Sequence, residues 1–386
     1  MNRRTFLAAA GAMAASLPLR AHTDTLRACV YGHSGRGGYG HGLDTCFNGM
    51  ENVKVTAVAD PDEKGRAAAM KRLGLSKSYA SFAELLDQEK PDIVSHGPRW
   101  VEKRLELLTI AAERHVHVYM EKPIAGSLEE ADAIVDVAEK HKIKIVVAHQ
   151  IRLMPQVLHL KKLIDEGLIG QLLEIRTRGK EDQRAGGEDM MVLGTHCLYL
   201  MRAFAGDPLW CTARVTQDGR DITQADRRAA SEPLGPIAGD TIHATFAFPK
   251  GIEGSFASQK VPKGEGGRFQ IALYGSKGVA SFAIGQDAQV SYLPDPLWVP
   301  GKTSAWKPLP DAPSNDHPSG LKGTDACNRR IVEELIRIID AKGRSPVDIY
   351  EARATLEMIM AVYAAHLAGG RVAFPVKDRK HPLGSL

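Results

Sequence analysis

Residues 26–44 read LRACVYGHSGRGGYGHGLD. Leu26–Tyr31 is a short apolar run of the kind that forms a buried strand, and it passes directly into a segment holding Gly32, Gly35, Gly37, Gly38, Gly40 and Gly42. A chain that turns sharply at a strand end needs glycine where φ is positive or where another group approaches the backbone closely. Gly32-x-Ser34-x-x-Gly37 occupies the slot of the G-x-G-x-x-G turn. In dinucleotide-binding folds, backbone N–H groups and a helix N-terminus meet a pyrophosphate there. Serine stands at the middle position, small enough for close approach and with a hydroxyl suited to phosphate. The turn therefore offers Gly32, Ser34, Gly35, Arg36 and Gly37 as cofactor contacts, and a helix is expected after it. A glycine motif alone is weak; its place after a strand is what gives it weight.

The surrounding sequence repeats the pattern. VKVTAVAD (53–60), PDIVSHG (91–97), HVHVYMEKP (115–123) and IKIVVAHQ (143–150) read as further strands. SFAELLDQEK (81–90) and SLEEADAIVDVAEKHK (127–142) read as helices between them, the latter opening with Ser127 and Glu130 at capping-box spacing. Strands alternating with helices at this length predict a parallel sheet covered on both faces, so residues 25–148 are assigned to a Rossmann NAD(P)-binding domain. The second strand ends at Asp60, 28 residues after Gly32. A carboxylate there accepts hydrogen bonds from ribose hydroxyls and repels a 2′-phosphate, which favours NAD. Lys64 and Arg66 nearby keep NADP open.

After His149 the texture changes. PQVLHLKKLIDEGLIGQ (155–171), EDMMVLGTHCLYLMRAFAG (188–206) and DIYEARATLEMIMAVYAAHLAGG (348–370) are helical candidates. LWCTARVTQ, DTIHATFAFPKGIEGSFASQK and RFQIALYGSKGVASFAI alternate in and out, with hairpin turns at FPKG and GSKG. Residues 149–386 are thus expected to form a C-terminal α+β domain with an open, largely antiparallel sheet. The fold class is α/β.

Composition is that of an ordinary globular enzyme, 44% hydrophobic and 25% charged. The chain starts MNRRTFLAAAGAMAASLPLRAH, twin arginines before a small-residue apolar run, which reads as a twin-arginine export signal over residues 1–22. Cleavage near Ala21 removes three positive charges and takes the formal charge from +4 to +1. A nearly neutral mature chain gives no electrostatic case for nucleic acid. Cys29, Cys46, Cys197, Cys211 and Cys327 are scattered, without C-x-x-C spacing, so neither a zinc site nor a disulfide framework is indicated.

At Glu121-Lys122-Pro123 the chain resembles the Gfo/Idh/MocA oxidoreductase family. The likeness extends through AVADPD, HVYMEKPIAGSLEEA, RLMP, IDEGLIGQ, GTH, AGDP and LYGSKG. The resemblance implies a sugar or polyol substrate, a C-terminal sheet that makes homo-oligomer contacts in a dimer or tetramer, and a catalytic lysine and histidine at Lys122 and His196. Lys122 would stabilise developing alkoxide charge and His196 would take the hydroxyl proton. Glu121 would join the cofactor contacts. Two departures mark this chain. Many members carry Asp four residues before the histidine, where this chain has Val192, and Pro-Asn where it has Pro98-Arg99. Arg152, Glu188 and Asp189 are candidate substrate contacts.

Export of a folded chain to the periplasm, where nicotinamide is not pooled, implies a tightly held NAD regenerated within each cycle. The partners expected are then the twin-arginine machinery and a small carbohydrate. The chemistry expected is net oxidation, or a redox-neutral cleavage or epimerisation through a transient ketosugar. A non-catalytic binding protein is the third class.

Overall fold

In the computed structural model, residues 25–261, 267–285, 288–341 and 343–385 are described. The leader and its export reading lie outside them. Among the described residues no helix is long and apolar enough to cross a membrane.

The first half is built from β1 (Leu26–Tyr31), β2 (Val53–Ala59), α1 (Glu63–Leu73), β3 (Ser78–Tyr79), α2 (Phe82–Glu89), β4 (Ile93–His96), α3 (Arg104–Glu113), β5 (His117–Met120), α4 (Leu128–His141) and β6 (Ile145–Val147). The strands form one parallel sheet in the order β3-β2-β1-β4-β5-β6. This is the doubly wound order, whose switch point between β1 and β4 opens a crevice at the carboxyl ends of the strands. The strands are short runs of Val, Ile and Ala because both faces are covered. Ser127 Oγ caps α4 by accepting from the Glu130 N–H at 3.2 Å. Glu130 completes only half of the expected box, since its carboxylate accepts from Gly126 N–H at 3.0 Å instead.

The helix expected after the glycine turn is not there. Residues 33–50 form successive turns, because Gly35, Gly37, Gly38, Gly40, Gly42 and Gly49 all take positive φ, which no right-handed helix tolerates. Leu43, Cys46 and Phe47 still bury against the sheet. Part of the covering on that face comes from a distant helix, α8 (Gly323–Asp340), which packs on β5 and β6 and brings Ile331, Val332, Leu335 and Ile336 into one core cluster with Tyr119 and Val146.

The second half continues with α5 (Pro155–Asp165), β7 (Leu172–Arg178), the one-turn α6 (Gly187–Asp189), a π-turn over Met190–Gly194, and α7 (Thr195–Ala205). Next come β8 (Trp210–Gln217), β9 (Arg220–Asp221), the ribbon of β10 (Arg228–Ala229) and β11 (Pro236–Ile237), and the hairpin of β12 (Thr241–Ala247) and β13 (Glu253–Gln259). The chain then forms β14 (Gln270–Gly275), β15 (Gly278–Ala283), β16 (Ser291–Leu293), β17 (Lys307–Pro308), α8 (Gly323–Asp340), α9 (Ile349–Ala368) and β18 (Val372–Ala373). The large sheet runs β17-β16-β15-β14-β7-β13-β12-β8-β18, with β9 on β8. Among the described strands of this sheet, only the β13–β7 pairing is parallel. Ile242, Ala244, Phe246 and Phe256 face inward onto the helices, while His243 and Thr245 lie on the open face. All five cysteines are buried free thiols.

Candidate active site

The glycine segment folds back over the carboxyl ends of β1, β4 and β5. His33 and Gly38 exchange backbone hydrogen bonds at 3.1 and 3.0 Å, and Arg99 N–H donates to Arg36 C=O at 3.1 Å. Gly32 is required by contact: a Cβ there would lie 2.2 Å from the Tyr39 ring. Asp60, wholly buried, accepts from Ser34 N–H at 3.1 Å and Ser34 Oγ–H at 2.9 Å, tying the turn to the end of β2. Arg66 donates to the Asp60 carbonyl at 2.7 Å. Gly37 packs against Arg99, Gly35 is open to solvent, and Arg36 stacks on Trp100 at 4.9 Å.

Glu121 follows β5 and accepts from His41 N–H at 2.9 Å, with His41 Nδ1 at 2.6 Å. Burial alone would raise its pKa, but the His41 bond and the Lys122 and Arg99 charges outweigh it and bring it down to about 2. Asp60 and Glu121 thus stand as two carboxylates at the strand ends beside a glycine turn, the donor and acceptor set a dinucleotide needs for its riboses and pyrophosphate. The set fits NAD. Here the two carboxylates are satisfied by Ser34 and His41.

Lys122, only 3% exposed, extends into the junction of the two halves, where its Nζ donates to the Val192 carbonyl at 2.8 Å. The π-turn Met190–Gly194 presents that carbonyl; such wide turns recur at functional sites. The lysine therefore docks on the backbone of the very residue that replaces the expected Asp. Burial, then Arg99 and Arg184, lower its pKa from the ordinary lysine range. His196 is the second residue of α7 and is 8% exposed. Burial, then Lys122 and His149, hold it well below the usual histidine range, so the ring is neutral at pH 7. Among the described residues no protein hydrogen bond holds its ring. His149 lies edge-on to it at 5.6 Å, stacks on Tyr199 at 4.3 Å, and its Nε2 sits 3.0 Å from Thr195 Oγ1. Burial, then Lys122, bring His149 down to about 3.

Lys122 and His196 line one cavity of about 300 Å³. Its other walls come from His41, Arg99, Gln150, Lys180, Arg184 and the apolar Phe269 and Ile284. The three candidate substrate contacts, Arg152, Glu188 and Asp189, do not line it. Glu188 accepts from Ser231. Asp189 accepts from Lys180 N–H, Glu181 N–H and Ser258 Oγ–H, which fixes the loop after β7. Arg152, in the turn Gln150–Leu153, is not among the lining residues. Sequence reasoning missed Lys180, Arg184 and His149 as wall and supporting groups. His149 closes a predicted strand, a position that carries sites in parallel sheets; Lys180 and Arg184 sit on a loop whose path only the tertiary structure reveals.

Comparison with known proteins agrees with this fold. The model of the oxidoreductase family's NAD-binding Rossmann fold matches residues 26–149, and that of the GFO/IDH/MocA C-terminal domain matches residues 157–281. A levoglucosan dehydrogenase of Pseudarthrobacter phenanthrenivorans is 25% identical over 269 residues, 63% of this chain and 68% of that one. A 2,7-anhydro-N-acetylneuraminate hydratase of Escherichia coli is 31% identical over 149 residues, but that match spans 38% of this chain and 39% of the hydratase. A solved levoglucosan dehydrogenase in complex with NADH and levoglucosan superposes with a TM-score of 0.71 at 18% identity, covering 91% of this chain and 99% of that one, and shares its fold.

Proposed function

The chain belongs to the Gfo/Idh/MocA oxidoreductase family, and from that premise we propose that it oxidises or reduces a carbohydrate CH–OH group in the Lys122–His196 cavity. The observation that carries this is the convergence of a buried lysine and a neutral histidine on one monosaccharide-sized cavity at the carboxyl edge of an NAD-binding sheet. NAD, when bound, supplies the hydride acceptor. The backbone of Gly32–Gly38 with Asp60 and Glu121 would hold it. In the oxidative direction the neutral His196 takes the hydroxyl proton, and Lys122 donates a hydrogen bond to the oxygen as negative charge develops. The Val192 carbonyl aims the ammonium, and Phe269 and Ile284 keep that corner dry.

The finer proposal is that NAD stays bound and is regenerated in each cycle. The export signal read at residues 1–22 supports it, since a folded chain bound for the periplasm carries its cofactor along. That reading also proposes a periplasmic location, and the polar open face of the large sheet is proposed as the oligomer contact. Protein matured through its own leader should release one dinucleotide per chain on denaturation, and a stable ketosugar should reoxidise it. Release of none rejects retention. The similarity to an anhydro-sugar hydratase favours a second reading, redox-neutral cleavage through a ketosugar. It predicts hydrolysis of a nitrophenyl glycoside without added acceptor.

A further inference from the structure

Every charged side chain lining the cavity, among the described residues, is basic: Arg99, Lys122, Lys180 and Arg184, with His41 and His196 beside them. The balancing carboxylates stand behind the wall. Asp182 accepts from Arg184 Nε at 3.0 Å and Nη2 at 2.6 Å, and lies 3.6 Å from Lys180 Nζ. Glu232 accepts from Arg184 Nη1 at 3.1 Å and pairs with Arg99 Nη1 at 3.2 Å. These bonds fix the guanidinium of Arg184 while using three of its five N–H donors, so two remain for a ligand. Arg99 Nε is buried with no hydrogen-bond partner, a cost a polar ligand would remove. With these carboxylates set behind the wall, the charge presented to the cavity itself is positive.

We propose, resting on the oxidoreductase reading above, that the carbohydrate entering this cavity carries an anionic group, a carboxylate or a phosphate, received by Arg184, Lys180 and Arg99 while Lys122 and His196 act on its hydroxyl. Rigid guanidinium forks suit flat or tetrahedral oxyanions, and here acidic neighbours preorganise them. The anion also answers a problem of the catalytic pair. Burial first, and then repulsion from neighbouring cations, depresses the proton affinity of Lys122 and His196. A negative charge in the cavity offsets that repulsion, so the base gains strength once the correct substrate is seated.

The test is calorimetric titration of the purified holoprotein with D-glucuronate, D-gluconate and D-glucose 6-phosphate against D-glucose and D-sorbitol. Charged sugars should bind at least tenfold tighter than neutral ones, and the carboxylates against the phosphate identify which anion fits. Arg184→Gln and the half-exposed Lys180→Gln should each weaken the charged ligand at least tenfold more than the neutral ones, whereas Arg184→Lys keeps most of the affinity. Neutral sugars binding as tightly as charged ones, an absence of charged-sugar binding, or unchanged affinity in both glutamine variants would overturn the inference. Absorbance at 340 nm on the same samples separates the two claims. Charged sugars that bind without reducing the dinucleotide count against the oxidoreductase reading and leave the charge inference standing. Neutral sugars that alone reduce it do the reverse.

Discussion

At the scale of single residues, the account turns on Lys122 and on the two histidines that burial keeps neutral. Lys122→Met removes the ammonium hydrogen-bonded to the Val192 carbonyl while keeping the stem's volume, so turnover should fall about 10²- to 10⁴-fold with dinucleotide content unchanged. Steady-state rates together with cofactor release measure both. His196→Asn should cost a similar factor. Its lowered proton affinity also sets a direction for pH: a base held below the usual histidine range stays competent on the acid side, so the acid limb of kcat/KM should fall below pH 6.5. A limb at or above 6.5 would mean another group is the base. Lys122 and His196 were legible in the sequence only through the family resemblance; spacing alone makes His196 a core residue, flanked as it is by Cys197, Leu198 and Leu200. The Asp-to-Val192 change looked like a loss. The structure shows what stands there instead, a backbone carbonyl, which sequence cannot display because it depends on a π-turn.

At the scale of elements, the glycine segment is where pattern and structure part. The strand, the turn and Asp60 were readable from apolar runs and glycine spacing, but the helix expected after them was not formed, since glycines at positive φ dictate turns. Its packing role passes partly to α8, some 280 residues downstream in the chain, and no local pattern points that far. Leu335→Ala on α8 should therefore destabilise the Rossmann half by roughly 2–5 kcal/mol, read as a lower Tm and loss of bound dinucleotide. Gly32→Ala drives a methyl into the Tyr39 ring and should cut dinucleotide affinity at least tenfold. Removing the ring in the same chain, Gly32→Ala with Tyr39→Ala, should recover a large part of that loss, because residues in contact couple. If the double variant is as weak as the sum of the singles, the Tyr39 contact is not what requires glycine at 32.

At the scale of the whole molecule, the two halves share the cavity proposed to be catalytic, and the burial around it predicts an acid-sensitive protein. His117 and His381 are pushed down to about 4 and His149 to about 3, in each case by burial first. Each is neutral when folded and binds a proton more readily when unfolded, so its contribution is present above pH 6.5 and is lost as pH falls toward 4. Glu121, lowered to about 2 by His41 and Lys122 against its burial, adds loss in the same direction below about 4.5. Thermal melts should be flat from pH 7 to 8 and fall steadily from 6.5 to 4; a Tm that rises on acidification contradicts this. The alternation of strands and helices, then of buried and exposed positions, made both sheets legible, whereas the basic cavity was not, because Arg99, Lys180 and Arg184 lie on loops that meet only after folding. The central claim, that this cavity moves a hydride between a carbohydrate and bound NAD, is tested most directly by mixing holoprotein with the charged and neutral sugars and following absorbance at 340 nm within a single turnover. The account predicts a change of one nicotinamide per active site with at least one of them, at least a hundredfold slower in Lys122→Met; no change with any sugar, or an equal rate in that variant, would contradict it.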